Sequence, residues 1–133
     1  MTLLSITSHA EDLEYNLVMN ARGHEITSLC IMRTEEDGSI IGTVANEFGV
    51  KSFDFTYRKG KAKVLNVIGP LNKWYIRRVL RGDMQLLLSN FLTKTNASKK
   101  GRTVSFLPND NIRLENHRFN ITYTLSPIAE QAE

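Results

Sequence analysis

The sequence predicts a mainly β protein in which an antiparallel sheet is covered by helix. The first observation is the run over residues 51–57, where aromatic and polar side chains alternate and so occupy opposite faces of a strand. The second is a set of glycine-containing turns at residues 38, 49 and 60, which separate extended runs. The third is the three- and four-residue spacing of apolar side chains over residues 71–92, which is typical of amphipathic helix.

Length and composition predict one ordered domain. The chain has 133 residues, enough to bury a core without disulfide or metal staples. Its hydrophobic fraction of 41% and charged fraction of 23% are ordinary for a globular protein. We therefore predict a single domain over residues 1–133, with loose ends at residues 1–10 and 126–133.

Charge and hydropathy limit the kinds of molecule that the protein is expected to bind. The net charge is only +3, and the basic residues are too dispersed to form the dense stripe that nucleic acid binding requires. A weak attraction to anionic surfaces, such as a membrane surface, is compatible with this charge. No run approaches the roughly 18 apolar residues of a membrane-spanning helix. The sequence makes no prediction of oligomeric state.

The single cysteine and the first residues bear on redox state and targeting. Cys30 has no partner for an internal disulfide or a cysteine zinc site, and its place in a strand pattern predicts a buried free thiol. Residues 1–10 lack the basic start and the apolar stretch of a signal peptide. A signal sequence upstream of residue 1 remains an open alternative.

Five extended runs come first and predict a meander. They cover residues 13–20, 25–33, 39–48, 51–57 and 62–68. Short connections make sequence neighbours into spatial neighbours, so the five strands are expected to pair antiparallel in order. Apolar side chains fall on both faces, as with Val44 and Phe48 against Ile41 and Ala45. Either both faces are covered, or one of them lines a cavity.

The helical segment of residues 71–92 is predicted as two helices. Pro70 is well placed to start the first of them. Gly82 is expected to interrupt it, and Asp83 to cap the second helix. The arginines at residues 77, 78 and 81 would then lie near the C-terminus of the first helix, where cations suit the helix dipole.

The last third of the chain is predicted to alternate loop and strand. Residues 93–102 are polar and basic without periodicity, which indicates a mobile loop. Residues 103–107 and 112–114 resemble brief strands. Residues 117–125 alternate clearly, with Phe119, Ile121, Tyr123 and Leu125 on one face, and predict a final strand.

No arrangement of reactive side chains predicts catalysis. The histidines at residues 9, 24 and 117 are far apart, and we expect them to lie at the surface or at strand ends rather than around a metal. Asp54 and Glu47 are expected to be solvated carboxylates. Phosphate-binding glycine motifs are missing from the sequence. We therefore predict no enzyme activity, no cofactor and no metal.

Two groups of residues are candidates for binding. Trp74 and Tyr75, with Phe53 and Phe55, either line a ligand site or pack as core aromatics. The arginine cluster either meets lipid phosphates or an acidic partner, or forms a solvated helix face. Its members are Arg77, Arg78 and Arg81.

Three segments resemble a known family. They are residues 46–55 (NEFGVKSFDF), residues 71–80 (LNKWYIRRVL) and residues 83–88 (DMQLLL), with a Tyr-Arg-Lys-Gly turn ending at residue 60. Together they resemble the small bacterial lipoproteins with the LolA/LolB-like fold. The resemblance implies an antiparallel β half-barrel with a helical plug over residues 71–92. It also implies that Phe53 and Phe55 form the cavity wall, while Trp74, Tyr75 and Val79 belong to the plug; no catalytic residue transfers.

The same resemblance implies a function. Such proteins carry or receive lipoproteins, or bind lipid, in the Gram-negative cell envelope. The chain is therefore expected to be a periplasmic or outer-membrane protein that binds lipid or the acyl chains of lipoproteins. That location requires an upstream signal sequence, and the start of this chain has no lipobox cysteine. The alternative is a structural or adaptor protein that binds a partner through a sheet edge or the arginine-rich helix face.

Overall fold

One antiparallel sheet and one helix make up the computed structural model, which describes residues 12–128. The helix is α1 (Trp74–Phe91), and short 3-10 turns occur at Gly69–Leu71 and Pro108–Asp110. The strands are β1 (Asp12–Ala21), β2 (His24–Thr34), β3 (Ile40–Ala45), β4 (Lys51–Arg58), β5 (Lys61–Leu65), β6 (Ala97–Lys99), β7 (Arg102–Phe106), β8 (Ile112–Asn116) and β9 (Ile121–Pro127).

The nine strands form two meanders joined side by side. Their spatial order is β5-β4-β3-β2-β1-β9-β8-β7-β6, so the chain first builds outward from β1 to β5. After α1 it starts again at the other edge, with β6, and returns inward until β9 pairs with β1. The sheet curves into a half-barrel, which confirms the predicted fold class. The predicted five-strand meander is also confirmed, with each strand paired to its neighbour in sequence.

Alternation along each strand sends the larger apolar side chains to the concave face. In β4, Phe53 and Phe55 are buried there, as predicted, while Asp54 faces outward and accepts a hydrogen bond from the Thr43 hydroxyl. Cys30 lies on the same concave face as a buried free thiol, which confirms that prediction. On the convex face, the side chain of Ile41 is exposed to solvent.

The helix α1 fills the open side of the half-barrel. It contacts β4 and β5 near one edge of the sheet and β6, β7 and β8 near the other edge. Its inner face buries Leu87 and Leu88, each of which stabilises the fold by about 1.5–3 kcal/mol relative to an exposed side chain. The remaining buried residues of the helix are Leu80, Asp83, Met84, Leu86 and Phe91.

The prediction of two helices is wrong, because α1 runs without a break through Gly82 and Asp83. Asp83 is no N-cap: its carboxylate is fully buried and bonds to side chains of the sheet. Gly82 is retained inside the helix for reasons of space. A Cβ atom there would lie 2.4 Å from Nη2 of Arg102, so only glycine leaves room for that side chain.

The predicted order of the last third of the chain is partly confirmed. The predicted loop of residues 93–102 contains the short strand β6, whose polar sequence carries no apolar pattern to reveal it. Strands β7 and β8 occur where expected, and β8 extends two residues further. The final strand starts later than predicted, since residues 117–120 form a turn. The predicted loose end at residues 126–133 is wrong for Ser126 and Pro127, which pair with β1 as the last residues of β9. The predicted loose end at residues 1–10, and residues 129–133 of the other, lie outside the described residues.

Candidate functional site

A cavity of about 1050 Å³ lies between α1 and one end of the sheet. This volume is at the upper end of the roughly 300–1,000 Å³ typical of ligand pockets. The first half of the helix forms one wall, with Trp74, Tyr75, Ile76 and Val79. The sheet forms the other wall with side chains of its concave face. These are Met19, Ile26, Ser28, Val44, Phe53, Ile121 and Tyr123.

The mouth of the cavity is formed by three neighbouring turns at the same end of the sheet. The β1–β2 and β8–β9 turns are joined by a hydrogen bond from Arg22 N to Asn120 O of 3.3 Å. The β8–β9 and β6–β7 turns are joined by His117 N donating to Gly101 O at 2.8 Å. Each turn contributes lining residues. These are Ala21 and Arg22, Arg118 and Phe119, and Lys99 and Lys100.

The aromatic side chains of the helix leave the cavity open. Trp74 is 66% exposed and Tyr75 51% exposed, and their rings pack edge to face with centroids 5.7 Å apart. Across the cavity, Ile26 is 54% exposed although it lies on the concave face of β2. Large apolar side chains left uncovered side by side mark a binding surface, because their exposure to water is costly.

The structure brings together four of the five residues predicted to bind an apolar ligand. Phe53, Trp74, Tyr75 and Val79 all line the cavity. Phe55 does not; it is completely buried behind the wall. Its ring lies against Gly42, where an added Cβ would come within 2.2 Å of the ring.

The structure keeps the three arginines together in one shallow groove, which Val64 and Trp74 also line. Arg78 and Arg81 line the cavity as well. Arg77 does not, and its guanidinium donates a hydrogen bond to Asn72. Because α1 continues to Phe91, all three arginines lie in its first half rather than near a C-terminus. The predicted favourable interaction with the helix dipole is therefore wrong, since this half is nearer the positive end.

A buried hydrogen-bond network forms the base of the cavity. The Asp83 carboxylate is fully buried; its Oδ1 accepts from Arg102 Nε at 2.6 Å and from Asn116 Nδ2 at 2.9 Å. Its Oδ2 accepts a hydrogen bond from the Tyr123 hydroxyl. Burial raises the pKa of Tyr123 well above its usual value, and the negative charge of Asp83 raises it further, so the hydroxyl stays neutral and donates.

This network joins α1 to three strands. Arg102 lies on β7, Asn116 on β8 and Tyr123 on β9, so one helical carboxylate holds three strands of the second meander. Every polar atom of such a buried group needs a partner, and among the described residues no buried side-chain polar atom is left without one. The network therefore fixes the position of the helix over the sheet.

The chemistry of the lining is apolar and cationic. Among the described residues, no group of three or more histidine, cysteine or acidic side chains is placed to hold a metal. Within the part of the chain that the structure describes, no aspartate or glutamate lines the cavity. The walls instead combine aliphatic and aromatic side chains with arginines and lysines. This arrangement suits noncovalent binding of a molecule with an apolar part.

The sequence does not predict several of the residues that line the cavity. Arg22 and Arg118 are nearly a hundred positions apart in the sequence, and only the pairing of β1 with β9 brings their turns together. Arg102 reads as part of a basic loop, whereas the structure places it beside the helix. The only signal in the sequence was Gly82, a glycine inside a helical pattern, which indicates close packing at that point.

The fold and the cavity define the class of protein as a β half-barrel with an open apolar pocket beside its helix. Comparison with known protein families and with curated proteins finds no match to this chain. Within the described residues, no helix is both long enough and apolar enough to cross a membrane.

Proposed function

We propose that this protein is a non-enzymatic binding protein that holds an acyl chain or another apolar ligand in the half-barrel. The observation that carries the proposal is the open cavity, with exposed Trp74 and Tyr75 on one wall and exposed Ile26 on the other. A filled core would have covered these side chains. A bound acyl chain would remove them from water and gain about 25 cal/mol for each Å² of apolar surface covered.

The resemblance to LolA/LolB-like proteins supports a more specific form of this proposal. In that form, the ligand is a lipid or the acyl part of a lipoprotein, and the protein carries it in the bacterial cell envelope. The helix lies where the resemblance puts the plug, and four of the five transferred residues line the cavity. Half-barrel shape alone does not imply a carrier function, so ligand binding has to be tested directly.

Binding can be measured with the protein's own fluorescence, because Trp74 is the only tryptophan and lies in the cavity wall. We expect native mass spectrometry of gently purified protein to show a bound lipid. We also expect the uncharged probe N-phenyl-1-naphthylamine to bind and to shift the Trp74 emission to shorter wavelength. Absence of both a bound lipid and probe binding would refute the proposal.

A matched pair of variants locates the binding site. Ile26→Glu places a carboxylate in the cavity wall, and we expect it to weaken binding of the neutral probe about tenfold. Ile41→Glu introduces the same group on the convex face, at a side chain that is 39% exposed, and should leave binding unchanged. Equal binding by both variants would place the probe outside the cavity.

The adaptor function remains a second candidate, favoured by the position of Arg77. This arginine lies with Arg78 and Arg81 in a second groove at the β5 edge of the sheet, and it is the arginine of that groove that does not line the cavity. An acidic partner bound there would contact all three arginines, whereas a ligand in the cavity would not reach Arg77. Under this alternative, Arg77→Glu abolishes partner binding while the affinity for the neutral probe is unchanged.

A further inference from the structure

Charge is distributed unevenly around the cavity. The chain has 17 basic and 14 acidic residues, so a random lining would contain both kinds in similar numbers. Among residues 12–128, the lining instead contains basic residues and no acidic residue. These basic residues are Arg22, Arg78, Arg81, Lys99, Lys100, Arg102 and Arg118.

Only one of these cations is neutralised within the part of the chain that the structure describes. Arg102 forms an ion pair with the buried Asp83, with 2.6 Å between Nε and Oδ1. The ion pairs elsewhere in the described residues join Arg33 to Asp12, Lys51 to Asp54 and Lys94 to Asp110, and none involves another lining cation. The cavity therefore has a positive potential that no carboxylate in its lining offsets.

Part of this positive charge lies on the side of the cavity near Gly82 of α1. The guanidinium of Arg102 lies against α1 at Gly82, as the 2.4 Å distance from a Cβ built there to Nη2 shows. Arg78 is four residues before Gly82 and so lies one turn away on the same helix face. Arg81 directly precedes Gly82 in the sequence. An anion bound on this side of the cavity would be attracted by all three cations.

The helix dipole adds to the same potential. Arg78 and Arg81 lie in the first half of α1, and its first turn contains no acidic residue. The N-terminus of a helix carries a partial positive charge, and an anion near it is favourable. No acidic side chain of the first turn offsets that partial charge.

From these observations we infer that the ligand of the cavity is an amphiphile with a phosphate head group, whose acyl chain lies against the apolar wall. Arginine forks bind phosphate oxygens through paired hydrogen bonds, and lysine ammonium groups are common phosphate ligands. This inference rests on the proposed binding function and specifies the ligand of the same site. It assigns Arg78, Arg81 and Arg118 to the head group and Trp74 and Val79 to the chain.

The test compares two ligands that share one acyl chain. Oleoyl lysophosphatidic acid carries a phosphate, and monooleoylglycerol is neutral; both are titrated below their aggregation concentrations while Trp74 emission is recorded. We expect the phosphate lipid to bind at least tenfold more tightly. The advantage should shrink in 0.5 M sodium chloride, because salt screens charges that are open to water.

Variants and free phosphate complete the test. The double substitution Arg78→Gln and Arg118→Gln should reduce the ratio of the two affinities about tenfold. Lys63→Gln removes an exposed cation of β5 outside the lining and should leave the ratio unchanged. Circular dichroism verifies that each variant is folded. Inorganic phosphate alone is expected to compete only at millimolar concentrations.

The possible failures are distinguishable. Equal affinity for the two lipids would overturn the inference and leave the binding function standing. Inorganic phosphate that binds as tightly as the phosphate lipid would also overturn it, because the acyl chain would then contribute nothing. If neither lipid binds and the neutral probe also fails, the proposed function itself is refuted.

Discussion

The two halves of α1 lie over the same sheet, but one half is mostly buried and the other is mostly exposed. The anchored half, residues 83–91, is buried: Leu87 and Leu88 are each 1% exposed, and Asp83 bonds to three strands. The overhanging half, residues 74–82, has Leu80 as its one buried residue, and its Trp74 is 66% exposed. The comparison teaches that burial is concentrated in one half of the helix, while the other half supplies most of the helical lining of the cavity, to which Gln85, Leu86 and Ser89 also contribute.

Removal of the carboxylate of Asp83 should have the largest effect on stability. Asp83→Ala leaves Arg102 as a largely buried and unpaired cation and deprives Asn116 and Tyr123 of their acceptor. We expect a loss of about 3–5 kcal/mol in the free energy of unfolding, measured by urea denaturation. Asp110→Ala breaks the exposed ion pair with Lys94 and should cost less than about 1 kcal/mol. Similar losses for both variants would show that the network does not anchor the helix.

A second pair of variants compares the two halves directly. Leu87→Ala opens a void in the anchored half and should cost about 2–5 kcal/mol, with the cavity and its probe binding kept in the molecules that remain folded. Tyr75→Ala removes a half-exposed ring from the overhanging half and should change stability by less than about 1 kcal/mol while it weakens binding of the neutral probe. If Tyr75→Ala destabilised the protein as much as Leu87→Ala, the proposed separation would be wrong.

The last prediction concerns pH and the buried thiol on the concave face of the sheet. Burial raises the pKa of the Cys30 thiol from its ordinary value of 9.0 to about 12. The unfolded chain therefore loses this proton first, and the stabilisation is fully present below pH 9 and lost between pH 9 and pH 12. One such group lowers the free energy of unfolding by about 1.4 kcal/mol per pH unit in this window.

Cys30→Ala isolates this contribution from other alkaline effects. Burial also raises the pKa of Tyr15 to about 12, so the whole protein loses stability in the same range. The difference in unfolding free energy between wild type and Cys30→Ala should narrow from pH 8.5 to pH 11. A constant difference would mean that the thiol is more accessible to water than its burial indicates.

Strand patterns predicted much of the fold, because they record burial locally. The alternation around Phe53 and the turns at glycines located the first meander, and the position of Cys30 in a strand predicted its burial. Strand β6 could not be predicted in this way. Its side chains are polar and largely exposed, and it exists because its backbone pairs with β7.

The site was harder to predict, because it depends on contacts between distant segments. Spacing predicted that Trp74, Tyr75 and Val79 lie on a helix, and the family resemblance implied that they belong to the plug; all three line the cavity. Asp83 was taken for a cap because an aspartate after a glycine normally marks a helix start, whereas here three strands supply its partners. The cations at the mouth come from three separate turns, and nothing in the sequence indicates that these turns adjoin.

Because α1 is unbroken, residues 74–82 extend roughly 13 Å from Asp83 as one rod, at about 1.5 Å for each residue. We expect a bulky guest to displace this segment more than residues 83–91, which the buried carboxylate holds to the sheet. A spin label at residue 75 should thus register loading and unloading, while one at residue 90 stays silent.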